Sequence, residues 1–274
     1  MRDGNHNPAA CVWGWLARRP GYMLLSAPDE RLAAEPPERF RHAWIGLMAV
    51  SLLWGLVLLN LWGIAWKVFR DYDPLVMPAM VTAGLFCLWP FRRGIAALAD
   101  LLAGRDATGR AVTAAALVLL VAFGLLGLKP DWDRWEHLPW WLTWLRPVLP
   151  LLRPQAKLYR VLVLMPLWGG WAMVIAVKFS RPTPRSEPQI AAFARGCGAL
   201  VAAACMAVLL LVSIAYFCHL GTGSVVILCV VPILAAIAGG VGFCWRAGGP
   251  TRRALLSANV ATQIAFLVTY LAGR

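Results

Sequence analysis

The feature that most constrains this chain is the repeated return of long apolar runs whose cores are read as free of Asp, Glu, Lys and Arg. About 20 apolar residues in a helix match the roughly 30 Å hydrocarbon core of a bilayer at 1.5 Å per residue. Seven such runs can be delimited, at about 44–66, 75–91, 111–128, 159–179, 196–218, 224–245 and 254–273. Within a bilayer every backbone amide must be satisfied internally, which selects helices. The expected fold is therefore all-α, a polytopic transmembrane helical bundle of about seven spans with interfacial amphipathic segments. The runs at 75–91 and 111–128 are at the short end for a crossing. Composition agrees: charged residues make up 14% of the chain and mean hydropathy is +0.66, against about a quarter charged in soluble domains.

Two regions follow from this pattern, an N-terminal cytoplasmic or interfacial arm over residues 1–43 and the transmembrane bundle over 44–274. The arm is not read as a cleaved signal peptide. Its apolar cluster from Cys11 to Leu16 is short, and Arg18, Arg19, Asp29, Glu30, Glu35 and Glu38 come before any long apolar run. Its aromatic and apolar patch (Val12, Trp13, Trp15, Tyr22, Met23, Leu24, Leu25) suits either the membrane surface or packing on the bundle.

Two further segments read as interfacial. Around residues 92–104, Ile95, Leu98, Leu101 and Leu102 share one helical face behind Arg92 and Arg93. Around 138–152 the chain is too broken by proline to cross, and the tryptophans from Trp132 to Trp144 belong at headgroup depth.

Basic residues orient the chain. With the N-terminus inside, 17 of the 26 Lys and Arg residues fall on the inner side and nine on the outer, the latter including Lys157 and Arg160. The expected location is a multi-pass protein of the inner or plasma membrane, with the N-terminus cytoplasmic. The net charge of +13 is spread between apolar segments. It therefore fits anionic headgroups, and nucleic acid is not an expected partner.

Few residues promise chemistry. Intramembrane charges mark proton relays and ion paths, so cores without them count against an ion-driven pump. Polar neutral residues do occur within the spans. Asn259 and Gln263 are four apart and share a face, and Asn60 lies in the first run. All three are read as interhelical hydrogen-bonding groups. Small-x-x-x-small spacings in the fifth and sixth runs, with the tight link Gly221-Thr222-Gly223, suggest an antiparallel hairpin. Prolines at 78, 90, 166 and 232 are read as static kinks, and Pro166-Leu167-Trp168-Gly169-Gly170-Trp171 as a place where a helix could bend or break.

The residue types for a catalytic or metal site gather on the expected outer face: Asp71, Asp73, Asp131, Asp133, Glu136, His137 and His219. Carboxylate and imidazole could act as acid and base or bind a divalent ion if the fold converges them. Asp131-x-Asp133-x-x-Glu136-His137 is no known metal signature, and a solvated loop is the preferred reading. The seven scattered cysteines form no C-x-x-C pair, and no phosphate-binding, hydrolase or dinucleotide motif occurs. No cofactor is expected. The leading functional expectation is a non-enzymatic bundle acting in transport or as a membrane subunit or scaffold of a complex. The rivals are a membrane enzyme acting on a lipid-linked substrate at the outer interface and an assembly factor that recruits a partner through its arm.

Overall fold

A computed structural model describes residues 18–69, 71, 73, 75–89, 91–104, 106–128, 157–217 and 220–273. Most of those residues are helical, with no strand among them, and six helices are long and apolar enough to cross a membrane. In chain order they form α1 (Pro20–Ser26), α2 (Asp29–Ala33), a 3-10 turn (Pro37–Phe40), α3 (Ala43–Val68), α4 (Val76–Leu88), α5 (Arg92–Ala103) and α6 (Ala107–Leu126). After the Trp-rich connection come α7 (Lys157–Phe179), α8 (Pro188–Gly196), α9 (Ala199–Phe217), α10 (Thr222–Arg246) and α11 (Arg252–Ala272). The expected interfacial stretch around 138–152 lies outside the described residues.

Local chemistry sets several helix starts. Asp106 caps α6 by accepting the Thr108 and Gly109 amides at 3.3 and 2.6 Å, and Asp73 accepts the Leu75 and Val76 amides at 3.0 and 2.8 Å ahead of α4. Both satisfy amides that a helix leaves unpaired in its first turn. At 13 residues α4 is only about 20 Å long, yet it returns the chain from the far end of α3 to the end that carries the arm. There Arg93 meets Ala27.

The bundle is organised around α7. Of its most apolar window, 89% is buried, against 33% for each of α3, α9 and α10. Helices α3, α9, α10 and α11 all pack against it. Two adjacent glycines let the neighbours in. A Cβ on Gly169 would come within 2.8 Å of the Gln263 side chain on α11, and one on Gly170 would run into Ser51 of α3. Tryptophans on the same turns fill the remaining volume: Trp168 stacks on Phe266 with centroids 6.4 Å apart, and the Trp171 indole N–H donates to the Ala202 carbonyl of α9 at 3.1 Å. Helix α7 runs unbroken through Pro166 and the glycine pair, so dense packing on four sides holds a segment whose composition favours a break.

Small residues in α9 and α10 serve this same centre. The two helices touch each other only lightly, and each packs more extensively on α7. Gly240 of α10 sits where a Cβ would lie 2.8 Å from that of Ala176 in α7. In place of a close hairpin, both helices pack on α7, and α10 packs on α11 as well.

The described part of the arm is a packed layer across one end of the bundle. Gly21 of α1 lies so close to the Gly46–Leu47 backbone of α3 that any Cβ would overlap it. Met23, Leu24, Leu25, Leu32 and Phe40 are buried beneath this layer. Helix α5, amphipathic as expected, lays its apolar face on α11 through Gly94, whose Cβ would meet the Val260 methyl at 2.5 Å.

Candidate functional site

The arm-bearing end gathers the described polar chemistry. Arg252 opens α11 and is almost fully buried, with 3% of its surface exposed. Its guanidinium fork holds three oxygens: Nε donates to the Leu24 carbonyl at 2.9 Å, one terminal nitrogen to the Met23 carbonyl at 2.8 Å, and the other to Asp29 Oδ1 at 2.6 Å. Those carbonyls belong to the last turn of α1, where a helix leaves acceptors unpaired and favours a cation. Arg93 reaches the same corner from α5, donating to the Ala27 carbonyl at 2.6 Å and lying 3.6 Å from Asp29. The arm is thereby tied to the two helices that follow it by about 65 and 225 residues.

A second set of ties joins the connection before α8. The Gln189 amide donates to the Ala33 and Glu35 carbonyls at 3.2 and 2.9 Å, and Thr183 Oγ1 donates to the Gly248 carbonyl at 2.8 Å. Glu187 Oε2 accepts the Arg252 backbone amide at 2.9 Å, capping α11 from a distant segment beside the local cap by Thr251. Burial pushes the Glu187 carboxyl above its ordinary value, outweighing the opposing pull of the Arg252 amide and charge. The folded chain then holds this proton more tightly than the unfolded one. Its contribution is full below the ordinary carboxylate value and is lost as pH rises through the raised one. Melting temperature should therefore fall with rising pH across that window in the wild type, and Glu187→Gln should flatten this part of the curve. A Glu187→Gln profile superimposable on wild type would contradict the assignment.

Beneath these ties lies a cavity of about 420 Å³ lined by Asp29, Arg92, Arg93, Asp100, Arg252 and Arg253, with Ala96, Ala97 and Leu256 between them. Four guanidiniums and two carboxylates thus face one cleft between α5 and the start of α11, closed by Asp29 of α2.

The sequence-derived candidates are distributed otherwise. Asp131, Asp133, Glu136, His137 and His219 lie outside the described residues. Asp73 caps α4 and Asp71 is exposed in the preceding turn. Among the described residues no three of His, Cys, Asp and Glu converge as a metal site. Asn259 and Gln263 are buried side by side on α11, where the Gln263 amide donates to Asn259 Oδ1 at 2.5 Å and Asn259 Nδ2 reaches the Met173 sulfur at 3.5 Å. They tie α11 to α7 and carry no ionisable group. Asn60 instead is exposed on α3, and its amide bonds back to the Leu56 carbonyl at 2.7 Å.

Arg160, counted with the outer connection in the sequence, belongs to α7 and is buried. It donates to the Tyr216 carbonyl at 2.8 Å, in the last turn of α9, where a cation complements the helix dipole. A buried charge therefore lies in the first turn of this span, at the edge of its apolar run. Cys197, between α8 and α9, is a free thiol that burial pushes up to about 12. It therefore stays protonated and unreactive.

No family model, curated protein or solved structure matches this chain.

Proposed function

We propose that this integral membrane protein is a non-enzymatic subunit or scaffold of a larger membrane complex, with its arm-bearing end in the cytoplasm. The observation that carries the reading is the clamped layer at that end. Segments from residue 19 to residue 253 are locked together there by Arg93, Gln189 and Arg252. A fixed platform of this kind, set on a span as closely packed as α7, presents a constant surface to a partner. It offers little of the bistable geometry that alternating access requires. The orientation is supported by the arginines of the platform and its connections, including Arg31, Arg39, Arg41, Arg92, Arg181, Arg195 and Arg253.

Purification from the native membrane in mild detergent tests this reading. The expected result is a particle in which the 30.0 kDa chain is joined by a second polypeptide in fixed ratio. A lone chain that turns over a lipid-linked substrate in vesicles would contradict it. Alkaline phosphatase fused after residue 274 should be active and a fluorescent protein at the same place dark, because an odd number of crossings puts the two termini on opposite faces.

A further inference from the structure

We infer that the arginine cleft between α5 and α11 is a binding site for a phosphomonoester group, carried either on a lipid headgroup or as free phosphate. The inference stands independently of the scaffold reading. It begins with an accounting of charge. Of the four arginines lining the cleft, Arg252 is saturated by Leu24, Met23 and Asp29, and Arg93 is engaged by Ala27 and Asp29. Asp100 is turned to Arg110, 3.4 Å away on α6. Arg92 and Arg253 are exposed and make no side-chain hydrogen bond or ion pair among the described residues. The fold therefore spends Asp29 on Arg252 and Arg93 and Asp100 on Arg110, and leaves two guanidiniums facing the same space.

Their placement compounds the effect. Arg92 opens α5 and Arg253 lies in the first turn of α11, so each cation sits at the positive end of a helix dipole, where a cation is disfavoured. Phe91 gives the start of α5 no side-chain cap, and that first turn contains no acidic residue. Two uncompensated cations beside an uncapped helix start call for a group with about two negative charges and several acceptor oxygens. A phosphomonoester supplies both, and guanidinium forks match its oxygens in pairs. A phosphodiester would leave one charge unmet.

The walls add a second requirement. Ala96, Ala97 and Leu256 line the cleft between its charges, and α11 descends from here into the apolar interior as a crossing helix. The cleft thus lies at headgroup depth, open to a phosphate whose apolar stem continues along the bundle.

The test uses the full-length chain in two settings. In nanodiscs of phosphatidylcholine doped with phosphatidic acid, native mass spectrometry reads lipid retained after release. In detergent, the melting temperature is followed with added inorganic phosphate against chloride at equal ionic strength. Arg92→Gln with Arg253→Gln should weaken retention or phosphate protection by about tenfold for each arginine removed. Arg195→Gln with Arg246→Gln removes the same charge from exposed positions outside the cleft and should leave both readouts at wild-type level. Protection by inorganic phosphate alone assigns the site to a free phosphate compound, and retention of phosphatidic acid alone assigns it to a headgroup. Equal loss in the two double variants would reduce the effect to general surface charge and overturn the inference. So would a wild-type chain that responds to neither probe.

Discussion

Gly55→Val should abolish recovery of folded protein. A Cβ at position 55 would lie 2.7 Å from both the Cα and the carbonyl oxygen of Val163. Those are backbone atoms of α7, so no rotamer change on the partner relieves the overlap, and α3 must move away along its length. Overpacking a close-packed core typically costs about 1–3 kcal/mol when side chains can adjust, and a backbone contact lies above that range. Gly240→Val should act alike from the other side, because its Cβ would meet Ala176 of α7 at 2.8 Å. The decisive comparison lies within one helix. Gly242, two residues further along α10, has nothing within 4 Å of its Cβ position, so Gly242→Val should elute and melt like wild type. Similar yields and melting curves for the variants at 240 and 242 would mean that α10 does not pack on α7 through this face.

Arg252→Met should free the arm while leaving the spans folded. The substitution keeps an apolar stem of similar length but strips the Leu24 carbonyl and Asp29 of this donor, while the Met23 carbonyl keeps only the Ala27 amide. Leaving buried acceptors unpaired costs about 1–3 kcal/mol each. The Asp29 carboxylate is largely exposed, so the ion-pair part is screened and adds little. A loss of about 2–3 kcal/mol in the stability of the arm is expected. It should appear as faster hydrogen exchange and protease cutting over residues 20–40, with exchange in α7 unchanged. Arg252→Lys should fail to restore protection, since an ammonium cannot reproduce a three-oxygen fork. Protection equal to wild type in Arg252→Met would show that apolar burial of Met23, Leu24 and Leu25 holds the arm by itself.

These two cases show how unevenly the fold can be read from sequence. Apolar length and the absence of charge are local properties, so the long spans and the amphipathic face of α5 are legible directly. The partner of a helix face is not. Gly240 and Ala202 follow the spacing that permits close approach, yet that spacing is equally compatible with α9 meeting α10 and with both meeting α7. Only the contacts made on α7, Ala202 with Trp171 and Gly240 with Ala176, distinguish the two. Because charge ends a hydropathy run, the sequence counts Arg160 with a connection, whereas its long stem and one carbonyl at the end of α9 allow it to sit inside a helix.

The arginine cleft was hidden for a related reason. Arg92-Arg93 and Arg252-Arg253 are 160 positions apart, and each pair looks like the basic flank that many spans carry. Which of them are neutralised depends on Asp29, Ala27 and Leu24 arriving from the arm. The outer acidic and histidine group has the residue types of a site, but Asp131, Asp133, Glu136, His137 and His219 lie outside the described residues, so geometry gives it no support.

Helix α7 is enclosed by its neighbours, whereas α3, α6, α9 and α10 leave most of their apolar length uncovered. Photolabelling of the unmodified protein in bilayers with a diazirine-bearing lipid, read residue by residue by mass spectrometry, tests this contrast most directly. Label should accumulate on Phe123, Leu200, Leu211 and Val226, all exposed on α6, α9 and α10, and be missing from α7 between Val161 and Val177. Label on α7 at the level found on α9 would contradict the arrangement.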